Sequence, residues 1–70
     1  MTAQSEIDAA LQFIASLCHD KEGWEFSDSE ALESDEWGAD KLLIFNREDY
    51  VVCYVGFRQG APLYVLQRIE

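Results

Sequence analysis

The residues best equipped for chemistry in this 70-residue sequence are its carboxylates. Fourteen Asp and Glu stand against five Lys and Arg, a net charge of −9. Nine of the acids fall between Asp20 and Asp40 (Asp20, Glu22, Glu25, Asp28, Glu30, Glu33, Asp35, Glu36 and Asp40), where Lys21 is the one basic residue. Carboxylates at that density can ligate a hard cation, act as a general acid–base pair, or form a negative contact surface. A calcium loop alternates its ligands along D-x-D-x-D-G and closes on a bidentate Glu. Asp28-Ser29-Glu30-Ala31-Leu32 departs from that pattern at the third ligand and has no central glycine. Paired-carboxylate catalysis needs a cleft that raises one of the two pKa values, and a domain this small has little room for one. The sequence therefore predicts a binding protein and not an enzyme.

Cys18 and His19 are adjacent, but a structural zinc site takes four ligands at short, paired spacings. Cys53 is the one further thiol, and there is no second histidine. No C-x-x-C pair is present, and acidic surroundings raise a thiol pKa instead of activating it. No cofactor or metal is expected. With no charged, apolar secretory leader ahead of them, the two cysteines are expected to be reduced and the protein cytoplasmic, with one disulfide between helix and sheet as the alternative. The longest apolar run, Leu42 to Phe45, is far short of the roughly 20 residues that span a bilayer.

That leaves the contact surface. From Lys41 onward the basic residues Lys41, Arg47, Arg58 and Arg68 slightly outnumber Glu48, Asp49 and Glu70, so the acidity is local and not spread as a general solubility device. Such a segment is repelled by nucleic acid and by anionic membranes, and its natural partner is a basic protein surface. If Glu22 to Asp40 were helical, its eight carboxylates would recur about every 3.5 Å, close to the 3.4 Å axial spacing of phosphates along a DNA strand. The competing reading is a solvated face that keeps a small protein in solution. Ser27, Ser29 and Ser34 fit turns and caps first, and acid-directed phosphorylation second.

The elements that must position these residues follow from periodicity. Ile7, Ala10, Leu11, Ile14, Leu17 and Cys18 recur at three- and four-residue intervals, one face of an N-terminal helix starting near Thr2 to Ser5, with Ser5 and Asp8 as a capping pair. The helix should stop between His19 and Gly23, the glycine taking a left-handed conformation. Trp24-Glu25-Phe26 alternates as a short strand or extended arm with both rings toward the core. Ser27 to Trp37 suits a short helix or a turn-rich loop pinned by Leu32 and Trp37. Three runs rich in β-branched and aromatic residues, Lys41–Asn46, Tyr50–Phe57 and Leu63–Ile69, predict an antiparallel meander turning at Asn46–Asp49 and Arg58–Pro62. In the middle run Val51, Cys53, Val55 and Phe57 oppose Tyr50, Val52, Tyr54 and Gly56, so both faces want cover. The helix supplies one cover. The segment from Trp24 to Trp37, a second copy of the chain, or a target supplies the other. The expectation is one compact α+β domain over residues 1–70.

In size, in localised acidity and in a helix followed by a small antiparallel sheet, the chain resembles the small phage-encoded inhibitors of host defence, including anti-CRISPR proteins and other DNA mimics. That resemblance implies a stoichiometric inhibitor that occludes a basic nucleic-acid channel in the host cytoplasm. The residues expected to touch the partner are Glu25, Asp28, Glu30, Glu33, Asp35, Glu36, Trp37 and Asp40 on the acidic lobe, with Tyr54 and Tyr64 on the sheet. The alternative is an immunity protein or antitoxin that binds through the tyrosine-bearing sheet face.

Overall fold

The computed structural model describes residues 3–18, 23–33 and 38–69, with the side chain of Cys18 excepted. A single helix, α1 (Gln4–Cys18), precedes four strands: β1 (Glu25–Ala31), β2 (Lys41–Asn46), β3 (Val51–Arg58) and β4 (Ala61–Ile69). The strands pair antiparallel in chain order, β1-β2-β3-β4. The α+β class is as expected, but the arm at Trp24–Phe26 leads into a complete fourth strand. The helix or loop expected from Ser27 onward is replaced, as far as Ala31, by that strand; Ser34 to Trp37 lie outside the described residues. Asp, Ser and Glu are poor strand formers, yet pairing along β2 outweighs that weak local preference.

Ala10 and Ile14 of α1 are fully buried, with Ile7, Leu11 and Phe13 packed around them. They rest on one face of the sheet, where register places Leu43 opposite Val55 and Phe45 opposite Cys53, all four fully buried, with Phe57 beside them. Leu17 was expected on the same helical stripe, but it is 55% exposed, so the buried stripe stops at Ile14. Nor is Ser5 the cap: the carbonyl of Ala3 accepts from the N–H groups of Glu6 and Ile7, which puts Ser5 inside the first turn, while Asp8 accepts from the Gln4 amide at 3.0 Å. Gly23 is left-handed (φ +85°), and the intervening His19 to Glu22 lie outside the described residues. Trp24 joins the core beneath the helix and Phe26 meets Phe45 edge-on at 5.7 Å. The segment beginning at Trp24 was a candidate cover for the second sheet face; instead its tryptophan fills the first, because β1 extends the sheet sideways. The Glu6 carboxylate accepts from Lys41 Nζ at 2.8 Å, tying the first turn of α1 to the start of β2.

Both later turns show why the strands meet in this register. Between β2 and β3, Tyr50 N–H donates to the Arg47 carbonyl and Arg47 N–H to the Val51 carbonyl, the pattern of a type I turn followed by a left-handed residue. That residue is Tyr50 (φ +64°), where glycine or asparagine would avoid a cost of about 1–2 kcal/mol. Between β3 and β4 the loop is just Gln59-Gly60, both at positive φ (+53° and +80°), a type I′ turn. The turn is thus shorter than expected, and Ala61 and Pro62 already belong to β4, an edge strand that tolerates proline. A bulge follows: Phe57 pairs with Pro62 and Gly56 with Tyr64, leaving Leu63 as the extra residue. The Tyr64 ring lies against Gly56 so closely that a Cβ there would sit 2.3 Å from its Cε2 and Cζ.

Two outcomes follow from these contacts. Gly56→Ala must displace the Tyr64 ring and should destabilise by about 1–3 kcal/mol, with most of that loss vanishing in a Tyr64→Ala background; denaturant melts of the double-mutant cycle measure the coupling. The hydrogen bond from Lys41 holds the Glu6 pKa below its ordinary 4.5, with partial desolvation opposing it. A depressed carboxyl contributes stability that is complete above the unfolded-state pKa and is lost as pH falls through the folded one. Wild type should therefore lose stability relative to Glu6→Gln as pH drops below about 4.5, in paired thermal melts that cancel the general effect of neutralising the other acids.

Candidate protein-binding face

Directly paired residues in an antiparallel sheet project to the same side, so the register defines the composition of each face. On the side away from α1 the pairings run Glu25–Asn46–Val52–Arg68, Asp28–Ile44–Tyr54–Leu66 and Glu30–Leu42–Gly56–Tyr64. Each row begins with an exposed carboxylate on β1; the second and third continue into uncharged, mostly apolar residues, and the first runs through Asn46 and Val52 to Arg68. Rows follow one another at about 6.6–6.8 Å, and each spans three strand spacings, roughly 14 Å. Val52 and Gly56 are buried, Gly56 against the Tyr64 ring; Leu42, Ile44, Tyr54 and Tyr64 are half-buried, and Leu66 is exposed. No other described helix or strand lies over this side.

Alignment of the acids depends on a β-bulge. The register shifts between Phe26 and Asp28, with Ser27 as the additional residue. Without it, Glu25 and Asp28 would project to opposite sides, because side chains alternate along a strand. The bulge turns residues 25, 28 and 30 into one acidic row while Phe26 stays on the helix side against Phe45. Asp28 also accepts from the N–H of Ser29 at 2.8 Å.

The remaining expected contacts fall in the β1–β2 connection. Its ends are closed by Leu32 N–H donating to the Asp40 carbonyl at 2.9 Å. Glu33 is exposed on it, and Leu32 is half-buried as its expected anchor. Asp40 has a structural task, its carboxylate accepting from the Gln59 N–H at 3.1 Å while Arg58 donates to the Gly38 carbonyl at 3.0 Å. Asp35, Glu36 and Trp37 lie outside the described residues. The structure thus brings Glu25, Asp28 and Glu30 onto one face with Tyr54 and Tyr64, and sets Glu33 and Asp40 at the end nearest Glu30. The helical 3.5 Å charge spacing does not apply here, because a strand separates same-side acids by about twice the 3.4 Å phosphate step.

Sequence reasoning passed over Leu42, Ile44 and Leu66, although alternation along β2 (Lys41, Leu43 and Phe45 against Leu42, Ile44 and Asn46) carries the signal. It also passed over Arg47. The Arg47 guanidinium stands 4.8 Å from the Trp24 ring centroid and grips Asp49 with two bonds, Nε to Oδ1 at 2.9 Å and Nη2 to Oδ2 at 2.6 Å. That grip holds the Asp49 pKa below its usual value. Gly23 is needed beside it, since a Cβ would meet Arg47 Cγ at 3.2 Å as well as having to adopt positive φ. A small open cleft of about 190 Å³ lies here, lined by Gly23, Glu25, Asn46, Arg47 and Glu48.

Among the described residues no three His, Cys, Asp or Glu side chains gather as metal ligands, and Cys53 is fully buried in the core. No described helix is long and apolar enough to cross a membrane. Comparison with protein-family models, with curated proteins and with solved structures gives no match for this chain.

Arg47→Lys keeps the charge but loses the planar fork that satisfies Asp49 and lies near Trp24. It should destabilise by about 1 kcal/mol and alter Trp24 fluorescence, whereas Arg68→Lys should change neither; chemical melts followed by tryptophan emission compare the two.

Proposed function

We propose that the protein is a non-enzymatic binding protein, acting in the cytoplasm, that seats its open sheet face on a basic protein surface and blocks the nucleic acid that surface would otherwise hold. The observation that supports this is the shared face: three carboxylates on the same side of the sheet as Leu42, Ile44, Tyr54, Leu66 and Tyr64. Long-range attraction from the acids would raise the association rate, while desolvated tyrosine and aliphatic surface would lengthen the complex's lifetime. In its dimensions and charge this is the behaviour of the anti-CRISPR and DNA-mimic inhibitors that the sequence resembles.

The other reading, an immunity protein or antitoxin held mainly through the apolar rows, is favoured by one specific feature: β1 supplies one carboxylate per row, whereas β2 to β4 supply several apolar groups.

Both readings are tested by capturing partners with the immobilised protein and challenging the complexes with duplex DNA. The inhibitor reading expects captured proteins that bind nucleic acid, released competitively by the duplex. It also expects an association rate that falls at least about tenfold in a Glu25→Gln, Asp28→Asn, Glu30→Gln variant at low salt. Capture indifferent to DNA and to these three substitutions, but abolished by Tyr54→Ala, would establish the second reading instead.

A further inference from the structure

β1 is an edge strand, and its bulge at Ser27 and exposed carboxylates guard it against pairing with a further strand. A partner therefore meets this margin of the sheet through side chains. At the Glu25 end the margin is indented by the open cleft of about 190 Å³. Glu25 and Asn46, paired across β1 and β2 on the open side, line it, the turn after β2 brings Arg47 and Glu48 to it, and Gly23 completes the wall. That volume is well below the roughly 300 Å³ at which pockets for small-molecule ligands begin, so the cleft suits the end of one side chain and not a metabolite. Its walls are already in place. Arg47 is fixed by its two hydrogen bonds to Asp49 and by its position over the Trp24 ring, and its Cγ and Cδ close on Gly23 so tightly that a Cβ there would meet Cγ at 3.2 Å. The charge of Arg47 is thereby matched by Asp49. The carboxylates of Glu25 and Glu48 are exposed, and neither is in an ion pair among the described residues. Other charges nearby do not reverse this balance. Arg68 ends the same row two strand spacings from Asn46, roughly 10 Å away. Asp20, Lys21 and Glu22, just before Gly23 in the sequence, are two acids and one base and lie outside the described residues.

We propose that this cleft receives the guanidinium of one arginine side chain of the basic partner. The inference rests on the reading of the open face as a seat for a basic protein surface, and it gives that surface an anchoring arginine at the β1 margin. Acceptors come to the cleft from three elements: Glu25 from β1, the Asn46 side-chain oxygen from β2 and Glu48 from the turn that follows. Acceptors divided in this way are served by a planar fork of five donors better than by an ammonium, whose three donors surround a single point. A guanidinium is also more weakly hydrated than an ammonium and gives up less on leaving water. An anion entering the same cleft would face both carboxylates.

The first test needs no partner. N-acetyl-arginine methylamide is titrated into the isotope-labelled full chain at fixed ionic strength and followed by amide chemical shifts, with the lysine analogue and inorganic phosphate titrated alongside. The expected result is a saturable shift centred on Gly23, Glu25, Asn46 and Glu48, with a dissociation constant on the order of 1–10 mM. Glu48→Gln should weaken it at least about threefold, whereas Asp8→Asn, which removes the same charge from α1, should leave it unchanged. The lysine analogue should bind at least about threefold more weakly and phosphate should not bind. Shifts that never saturate, that spread over the acids of the whole chain or that persist in Glu48→Gln would overturn the proposal, as would equal binding of the lysine analogue or of phosphate. In complexes captured by the immobilised protein, Glu48→Gln should speed dissociation about tenfold. A captured basic partner indifferent to that change overturns the anchoring arginine and leaves the sheet-face reading standing. Saturable arginine binding by a chain that captures no basic protein keeps the cleft's ligand and removes the sheet-face reading.

Discussion

One helix can cover only one side of a four-stranded sheet. Everything else in the structure is arranged around that limit. Ala10 and Ile14 are spent against Leu43, Phe45, Cys53, Val55 and Phe57, and this single interface contains nearly the whole core. Trp24 is drawn into the same layer, where it closes the end under the helix, and Arg47 stacks against it from the following turn. Among the described residues no second layer lies over the other side of the sheet, which must be made tolerable in water by other means. Two devices accomplish this: Tyr64 folds flat over Gly56, and carboxylates line the exposed margin. Both leave the surface low in relief, a shape suited to another macromolecule more than to a small ligand.

Charge and fold are linked through β1. Acids in an exposed helix would spread around its circumference, with solvent screening each separately. Held on a strand, Glu25, Asp28 and Glu30 are fixed at regular intervals by the same hydrogen bonds that hold the sheet together. Their mutual repulsion is a cost of folding that a bound cationic surface would lower, so the acidic row would couple stability to occupancy by such a partner. Guarding an edge and attracting a partner are not competing explanations of these residues. The first accounts for why acids are tolerated on β1, and the proposed partner would give a reason for three of them to share a side.

The helix and the three later strands were legible because their signals are strong and local. The three- and four-residue spacing from Ile7 to Ile14 survives intact, Lys41–Asn46 is bounded as expected, and alternation from Val51 to Phe57 identifies the helix-facing side. What was not legible has specific causes. β1 was obscured twice, by Asp, Ser and Glu, whose own preferences oppose a strand, and by the bulge at Ser27, which interrupts the two-residue period that would have revealed it. The continuity of Glu25, Asp28 and Glu30 with Tyr54 and Tyr64 depends on that bulge and on long-range pairing, neither of which is encoded in any short window. At Tyr50 the geometry of the turn, not the local preference of tyrosine, sets a left-handed backbone.

Because strand order in the sheet repeats chain order, every strand pairing is between consecutive segments and no strand crosses over another. Such a sheet can assemble by successive hairpin closure, beginning at the two-residue turn between β3 and β4, with few distant segments to be brought together. The same simplicity leaves β1 attached along one side only, at the end of the series and behind a nine-residue connection. Its detachment would break one ladder and uncover the β2 side of the core at Phe45, next to Trp24. The acidic strand is thereby one of the two edges of the sheet at which local opening disturbs a single ladder, and a partner seated on the proposed contact surface would oppose that opening.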